Sequence, residues 1–174
     1  MKKALFFITA LAVSLLIFGQ HYKGVKLYAY SQIVIPGVAP RDVITESGNQ
    51  LPIERKQRKN TWIYLTYPVN IDLKQCELYI NGSRYNFQAE YVVKTPVTYT
   101  DYNIPDFPKT IELVPRSDHK VLRLTPMQQV SSKPSTHLKK LLKEYEVIVS
   151  YIVKGRKYYS VVKNFTVIEP AVAS

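Results

Sequence analysis

The sequence predicts an all-β fold, a single antiparallel β-sandwich with one short helix, preceded by an N-terminal signal helix. Runs of β-branched and aromatic residues recur along the chain, and prolines, glycines or an Asn-Gly pair follow them. Short strands separated by such turn signals are typical of a sandwich or a barrel. One later segment shows helical spacing instead.

The expected strands are rich in Val, Ile, Thr and Tyr and are bounded by turn residues. They are Val25–Ile35, Thr61–Tyr67, Glu77–Ile80, Arg84–Val93, Thr110–Val114, Lys120–Leu124, Tyr145–Val153 and Tyr158–Val167. Asn81-Gly82 predicts a hairpin turn, because both residues accept positive φ. The segment Lys154–Lys157 turns the chain between the last two strands.

Alternation along the strands predicts which side chains form the core. Either Trp62 or Ile63 must face inward, since successive residues of a strand point to opposite faces. The other residues expected in the core are Leu78, Ile80, Phe87, Tyr91, Val147, Val149 and Val161. Cys76 is the only cysteine, so no internal disulfide can form and the hydrophobic core must hold the fold.

The segment Ser135–Glu144 places leucines at helical spacing, and Ser135 or Thr136 can cap its start. A helix this short must lean on the sheet. Directly after it, Tyr145-x-Val147-x-Val149 leads into a hairpin. This pattern resembles the later strands of immunoglobulin-like and fibronectin-type-III-like domains, where a tyrosine at a strand start binds an upstream backbone group. The resemblance implies an immunoglobulin-like sandwich, and it implies no function.

The first residues have the features of a secretory signal peptide. Lys2 and Lys3 precede the uncharged run Ala4–Phe18, which is short for a membrane span of roughly 20 residues. We expect residues 1–19 to be the signal peptide and residues 20–174 to be a single β-sandwich domain. An uncleaved anchor helix is the alternative, and membrane contact would then run only through this segment. The Lys-Lys start favours a bacterial protein that is periplasmic, at the cell surface or secreted.

Charge and motifs limit the possible functions. The formal net charge of +11 falls to +9 without Lys2 and Lys3, which favours an acidic partner, namely another envelope protein or an anionic polymer. An exported protein seldom meets nucleic acid, so we expect no such partner. The chain has no glycine-rich phosphate loop, no nucleophile elbow and no zinc-protease motif. We therefore expect no enzyme activity, no cofactor and no metal.

A basic turn and an aromatic loop suggest a binding site. The turn precedes the strand of Trp62, and the loop holds aromatic rings between prolines that stiffen the backbone. The candidate binding residues are Arg55, Lys56, Arg58, Lys59, Trp62, Tyr99, Tyr102 and Phe107. The alternative is that these rings only cover one end of the core.

Two further basic groups follow later in the chain. They are Lys139, Lys140 and Lys143, and then Lys154, Arg156, Lys157 and Lys163. Basic groups that converge at one end of the sheet would form a surface that attracts anions. Groups that stay apart would only keep an exported domain soluble.

An enzyme-class alternative depends on one histidine. A cut after Gln20 would make His21 the first residue, which resembles the copper brace of polysaccharide monooxygenases and related periplasmic copper carriers. In that family the amino group and imidazole of the first residue bind copper together with a second histidine, here His119 or His137. Glutamine is a poor residue before a signal cleavage site, and no family motif surrounds either histidine. The leading hypothesis is a non-catalytic exported interaction domain of the bacterial envelope.

Overall fold

A computed structural model describes residues 22–36, 58–101 and 109–173 of the protein. The strands are β1 (Lys26–Pro36), β2 (Arg58–Tyr67), β3 (Glu77–Ile80), β4 (Ser83–Val92), β5 (Val97–Asp101), β6 (Lys109–Val114), β7 (Lys120–Val130), β8 (Val147–Val153), β9 (Arg156–Val162) and β10 (Thr166–Ala173). Helix α1 spans Thr136–Glu144, and a 3-10 turn spans Leu73–Gln75. The predicted signal helix lies outside the described residues. No helix in the described part of the chain is long and apolar enough to cross a membrane.

Eight strands form one sheet, in the order β10-β1-β2-β7-β4-β3-β8-β9, and β5 and β6 form a separate two-stranded sheet. The mostly-β prediction is confirmed, but the two-sheet immunoglobulin-like sandwich is not. The ladder is continuous because β7 pairs with strands on both sides: Leu124 lies opposite Ile63 of β2 and opposite Ala89 of β4. The expectation of purely antiparallel pairing is wrong at one place, since β10 runs parallel to β1.

The sheet curls, and its inner face holds the main core. The residues buried there come from β1, β2, β3, β7 and β8 and from the segments beside them: Val25, Ala29, Ile63, Leu65, Tyr67, Leu78, Ile80, Leu122, Leu124, Val147, Val149, Tyr151, Val153 and Phe165. The curl brings the segment before β1 towards β9, where the rings of Tyr22 and Tyr158 meet edge to face with centroids 5.2 Å apart. We call this contact between the segment before β1 and β9 the seam.

The alternation of side chains along the strands explains most of the buried residues, and one residue that was predicted to be buried is exposed. Ile63 is fully buried on the inner face, whereas its neighbour Trp62 packs on the outer face. Leu78, Ile80, Val147 and Val149 are buried as predicted, and Phe87 and Val161 are half-buried. Tyr91 was expected in the core but is 63 % exposed. It lies opposite Leu122, on the correct face, but next to the last residue of β4 at the rim of the sheet.

Two covers bury the outer face of the sheet. The β5–β6 hairpin packs its Leu113 and Val114 against Tyr64 and Val121. Helix α1 packs Leu138 against Tyr79 and Ile148 of strands β3 and β8. Each cover forms its own small cluster, so the sheet has one core inside and two outside.

Both predicted hairpin turns are confirmed. Asn81 and Gly82 have φ of 48° and 80°, and Lys154 and Gly155 have φ of 50° and 74°. Two successive residues with positive φ form the turn that matches the twist of the flanking strands. Arg156 therefore lies opposite Val153 directly after the second turn, and Lys154 stays exposed.

Leu78→Ala should lower the free energy of unfolding by about 2–5 kcal/mol, because it removes buried methyl groups and leaves a cavity. Val93→Ala is the control, since Val93 is fully exposed and its truncation should change the stability by less than about 0.5 kcal/mol. Urea denaturation measures both. Equal midpoints for the two variants would show that the inner face has been assigned wrongly.

Candidate functional site

The eight predicted binding residues are only partly described by the structure. Arg55, Lys56, Tyr102 and Phe107 lie outside the described residues. The other four are placed, with Arg58, Lys59 and Trp62 on β2 and Tyr99 on β5.

Trp62 and Tyr99 come together although they were predicted from separate features of the sequence. Their ring centroids are 5.1 Å apart, between the sheet and the β5–β6 hairpin. The Tyr99 hydroxyl donates to Oε1 of buried Gln32 over 3.0 Å, and Nε2 of Gln32 donates to the carbonyl of Glu169 over 2.9 Å. Tyr99 thus links the hairpin to β1 and, through Gln32, to β10. This pair of rings is half-buried packing that holds the hairpin on the sheet.

Arg58 and Lys59 do not form a shared patch. Neighbours in a strand point to opposite faces, so Arg58 lies on the outer face with Trp62 and Lys59 on the inner face. Nζ of Lys59 lies 5.0 Å from the ring centroid of Phe165, where it is used in a cation–π contact within the domain. The part of the basic turn that is described is therefore divided between the two faces.

Helix α1 carries a second basic group on its exposed side. Ser135 caps the helix, because its Oγ accepts from the backbone N–H of Leu138 over 3.3 Å. Leu138 is buried, and Leu141 and Leu142 pack around it. This packing fixes which side of the helix faces the sheet, and the exposed lysines stand on the other side: Lys139, Lys140 and Lys143.

The segment directly after β9 supplies a lysine from the third basic group next to this helix. Lys143 and Lys163 line one depression of about 350 Å³ together with Glu144 and Tyr145. These lysines are twenty positions apart in the sequence. Two of the basic groups therefore converge at the end of α1. We call Lys140, Lys143, Glu144, Tyr145 and Lys163 the α1–β9 surface.

Glu146 holds this depression in shape. Its backbone N–H donates to the Lys163 carbonyl over 3.0 Å, and its carboxylate accepts from the Phe165 N–H over 2.7 Å. Its own carbonyl accepts from the Asn81 N–H over 2.8 Å. The Lys163 backbone is thus held next to the end of α1 by its hydrogen bond from Glu146.

The other flank of α1 is also concave. A depression of about 360 Å³ is lined by Thr136, His137, Lys140, Leu141 and Glu144. The ring of His137 lies 5.4 Å from that of Tyr159 on β9. Lys140 and Glu144 are one helical turn apart, so the carboxylate of Glu144 stands between lysines and offsets part of their charge.

Not every cation of the third group is free to bind a partner. Lys157 and Arg84 both pair with Glu77, at 2.5 Å and 3.4 Å, and Ser150 Oγ donates to the same carboxylate over 3.1 Å. Burial alone would raise the pKa of Glu77, but the hydrogen bond and the charge of Lys157, with help from Ser150 and Arg84, hold that pKa below its usual value. Glu77 thus ties β3 to β4, β8 and β9.

Cys76 carries the only thiol of the sequence. The thiol of Cys76 is half-buried and donates to the Asp72 carbonyl over 3.3 Å. Burial, with the nearby carboxylates of Asp72 and Glu77, raises the pKa of this thiol to about 12, so it stays protonated at neutral pH and is a poor nucleophile. Within residues 22–36, 58–101 and 109–173, no three histidine, cysteine or carboxylate side chains group closely enough to hold a metal ion.

No known family model, curated protein or solved structure matches this chain. The arrangement of its own residues is therefore the basis for any functional assignment.

Glu77→Gln should lower the free energy of unfolding by about 1–2 kcal/mol at neutral pH, because Lys157 and Arg84 lose their charged partner. A carboxyl whose pKa is lowered in the folded state stabilises the protein above its unfolded pKa, and this stabilisation is lost as the pH falls through the folded pKa. The gap between the parent and the variant should therefore close in acid. Denaturation curves over a pH series measure it, and a gap that is constant with pH would contradict the ion-pair account.

Proposed function

We propose that the protein is a non-catalytic interaction domain of the bacterial envelope that binds an acidic partner through the α1–β9 surface. The observation that carries the proposal is the meeting of Lys143 and Lys163 in one depression. Export, inferred from the N-terminal run Ala4–Phe18, supplies the compartment. The partner is an acidic envelope protein or an anionic polymer.

The surface combines charge with a ring. Lysine presents a flexible point charge and suits anionic groups of several shapes, whereas arginine would favour a fixed planar geometry. Tyr145 adds a half-buried aromatic side chain to the same depression, which offers an apolar face and a hydrogen-bonding hydroxyl. A partner that carries acidic groups on a broader scaffold can engage both features.

Lys143 also has a structural role that the test must separate from binding. It stands in the last turn of α1, where a positive charge stabilises the helix by roughly 0.3–1 kcal/mol. Lys163 has no such position, because it follows β9 and lies outside any helix. A loss that both lysines share therefore reports on the depression, and a loss from Lys143 alone reports on the helix.

The paired substitution Lys143→Gln and Lys163→Gln should weaken binding to an immobilised anionic polymer such as heparin by about 30-fold, at roughly 1 kcal/mol per cation. Glu144→Gln should strengthen it, since that change removes the negative charge in the same depression. The matched control, Arg58→Gln with Lys133→Gln, removes two exposed cations that belong to neither this surface nor the β8–β9 turn, and it should have little effect. The salt concentration at elution measures all of them. An equal loss from both pairs would mean that only net charge matters, and no retention by any form would remove the proposal.

A copper site is the second candidate, and one contact favours His119 as its second histidine. His119 lies beside Gly24, three residues after His21: its Cε1 would be 3.6 Å from a Cβ added to that glycine. His137, by contrast, packs on Tyr159. His21 lies outside the described residues. Sequencing the N-terminus of the exported protein tests this candidate, because a first residue other than His21 removes it.

A further inference from the structure

The end of the sheet next to Tyr22 combines basic and apolar residues that have no role in the α1–β9 surface. The registers place the start of β1, the start of β7 and the end of β4 together, with Lys26 opposite Thr66, Tyr67 opposite Lys120 and Val92 opposite Val121. The β8–β9 turn lies at this end too, because Tyr158 of β9 contacts Tyr22. We call it the Tyr22 end.

The cations at the Tyr22 end project into solvent. Lys23, Lys154 and Arg156 are exposed, and within the described residues none of them has an ion-pair partner. The space around Gly155, which lies between Lys154 and Arg156, is open, since a Cβ added there would meet no atom within 4 Å. Lys94 follows β4 at the same end and is exposed as well. The carboxylate of Asp72 is occupied in accepting from Lys74 and Gln75 of the 3-10 turn.

Exposed apolar side chains stand beside these cations. Val93, directly before Lys94, is fully exposed, and Tyr91 is 63 % exposed. Tyrosine favours the boundary between lipid and water, because its ring is apolar and its hydroxyl can stay wet. Exposed apolar and basic residues at one end of a domain are what a surface of anionic lipid headgroups attracts.

The uncharged N-terminal run lies close to this end in the sequence. Only Gly19, Gln20 and His21 separate the uncharged run Ala4–Phe18 from Tyr22. The backbone of Tyr22 is hydrogen-bonded to Tyr151 at the seam, which fixes Tyr22 at this end of the domain.

We propose that the Tyr22 end rests on an anionic lipid surface. The contact is peripheral: the cations face the headgroups, and Val93 and Tyr91 enter the boundary between headgroups and water. It is independent of the α1–β9 surface, which lies beside the other end of β9. The domain can therefore contact lipid with one end while the α1–β9 surface remains accessible to a partner.

The test is sedimentation of the exported protein with vesicles of phosphatidylglycerol and phosphatidylcholine, or of phosphatidylcholine alone. The triple substitution Lys23→Gln, Lys154→Gln and Arg156→Gln should weaken binding to the anionic vesicles by about 10- to 100-fold. The matched control removes two exposed lysines and one exposed arginine away from this end: Arg58→Gln, Lys133→Gln and Lys139→Gln. It should keep most of the affinity. Val93→Ser should weaken binding severalfold without any change in net charge.

Several results would overturn the proposal. Equal losses from the two triple variants would show a response to net charge alone, and unchanged binding of the first variant would remove the Tyr22 end from the contact. Equal binding to vesicles of phosphatidylcholine alone would exclude recognition of anionic headgroups. Each variant is first compared with the parent by thermal unfolding. If the triple variant is unstable, the double variant Lys154→Gln with Arg156→Gln, which changes only exposed residues at the β8–β9 turn, replaces it in the binding experiment. Failure here leaves the heparin result unaffected, so the two proposals can fail separately.

Discussion

The closing of the seam is the constraint on which the rest of this structure depends. A sheet of eight hydrogen-bonded strands has two edges, and here its inner face is buried because the sheet curls and brings β9 to the segment before β1. Three tyrosines make that contact. The rings of Tyr22 and Tyr158 meet edge to face, and the ring of Tyr158 also stacks on that of Tyr151 with centroids 6.2 Å apart. Burial raises the pKa of Tyr151, and its hydroxyl is bonded to Ser160 over 3.2 Å, so the seam is apolar but leaves no buried hydroxyl unpaired.

The outer covers follow from this curl, and the proposed binding surface follows from one of them. An inward curl leaves apolar residues such as Ile148 and Tyr64 on the convex side, where water would otherwise meet them. The hairpin and α1 each bury one such patch. Because the leucines of α1 pack against the sheet, its lysines must face outward. Lys163, which follows β9, adds a fourth cation next to Lys143. The surface charge is thus placed by the packing of the core.

Local structure was predictable from the sequence because it depends on near neighbours. Alternation predicted that Ile63 or Trp62 would face inward, and the Asn81-Gly82 and Lys154-Gly155 turns have the positive φ that their residue types favour. The strand expected over Lys120–Leu124 is longer in the structure, because β7 continues through Pro126 to Val130. The residue opposite is Phe87, beside an irregularity in β4, and such a bulge is a place where a strand tolerates proline.

Pairing between distant strands was not predictable, because the alternation of apolar and polar residues along a strand does not indicate which strand lies next to it. The break at Lys163 and Asn164, which sends β10 to the other edge of the sheet to run parallel to β1, has no strong turn signal. For the same reason the sequence could not show that the rings of Trp62 and Tyr99 pack against each other between the sheet and the β5–β6 hairpin. The meeting of Lys143 with Lys163 depends on the hydrogen bonds of Glu146, a residue that no motif marks.

Mapping of backbone amides by nuclear magnetic resonance, during titration with a short anionic oligosaccharide, tests the central claim most directly. The account predicts that the amides of Lys143, Glu144, Tyr145 and Lys163 shift together with one affinity, and that this affinity falls as salt is added. The amides of Arg58, Trp62 and Tyr99 should stay in place. Shifts confined to those three residues, or small shifts spread evenly over every exposed lysine, would contradict it.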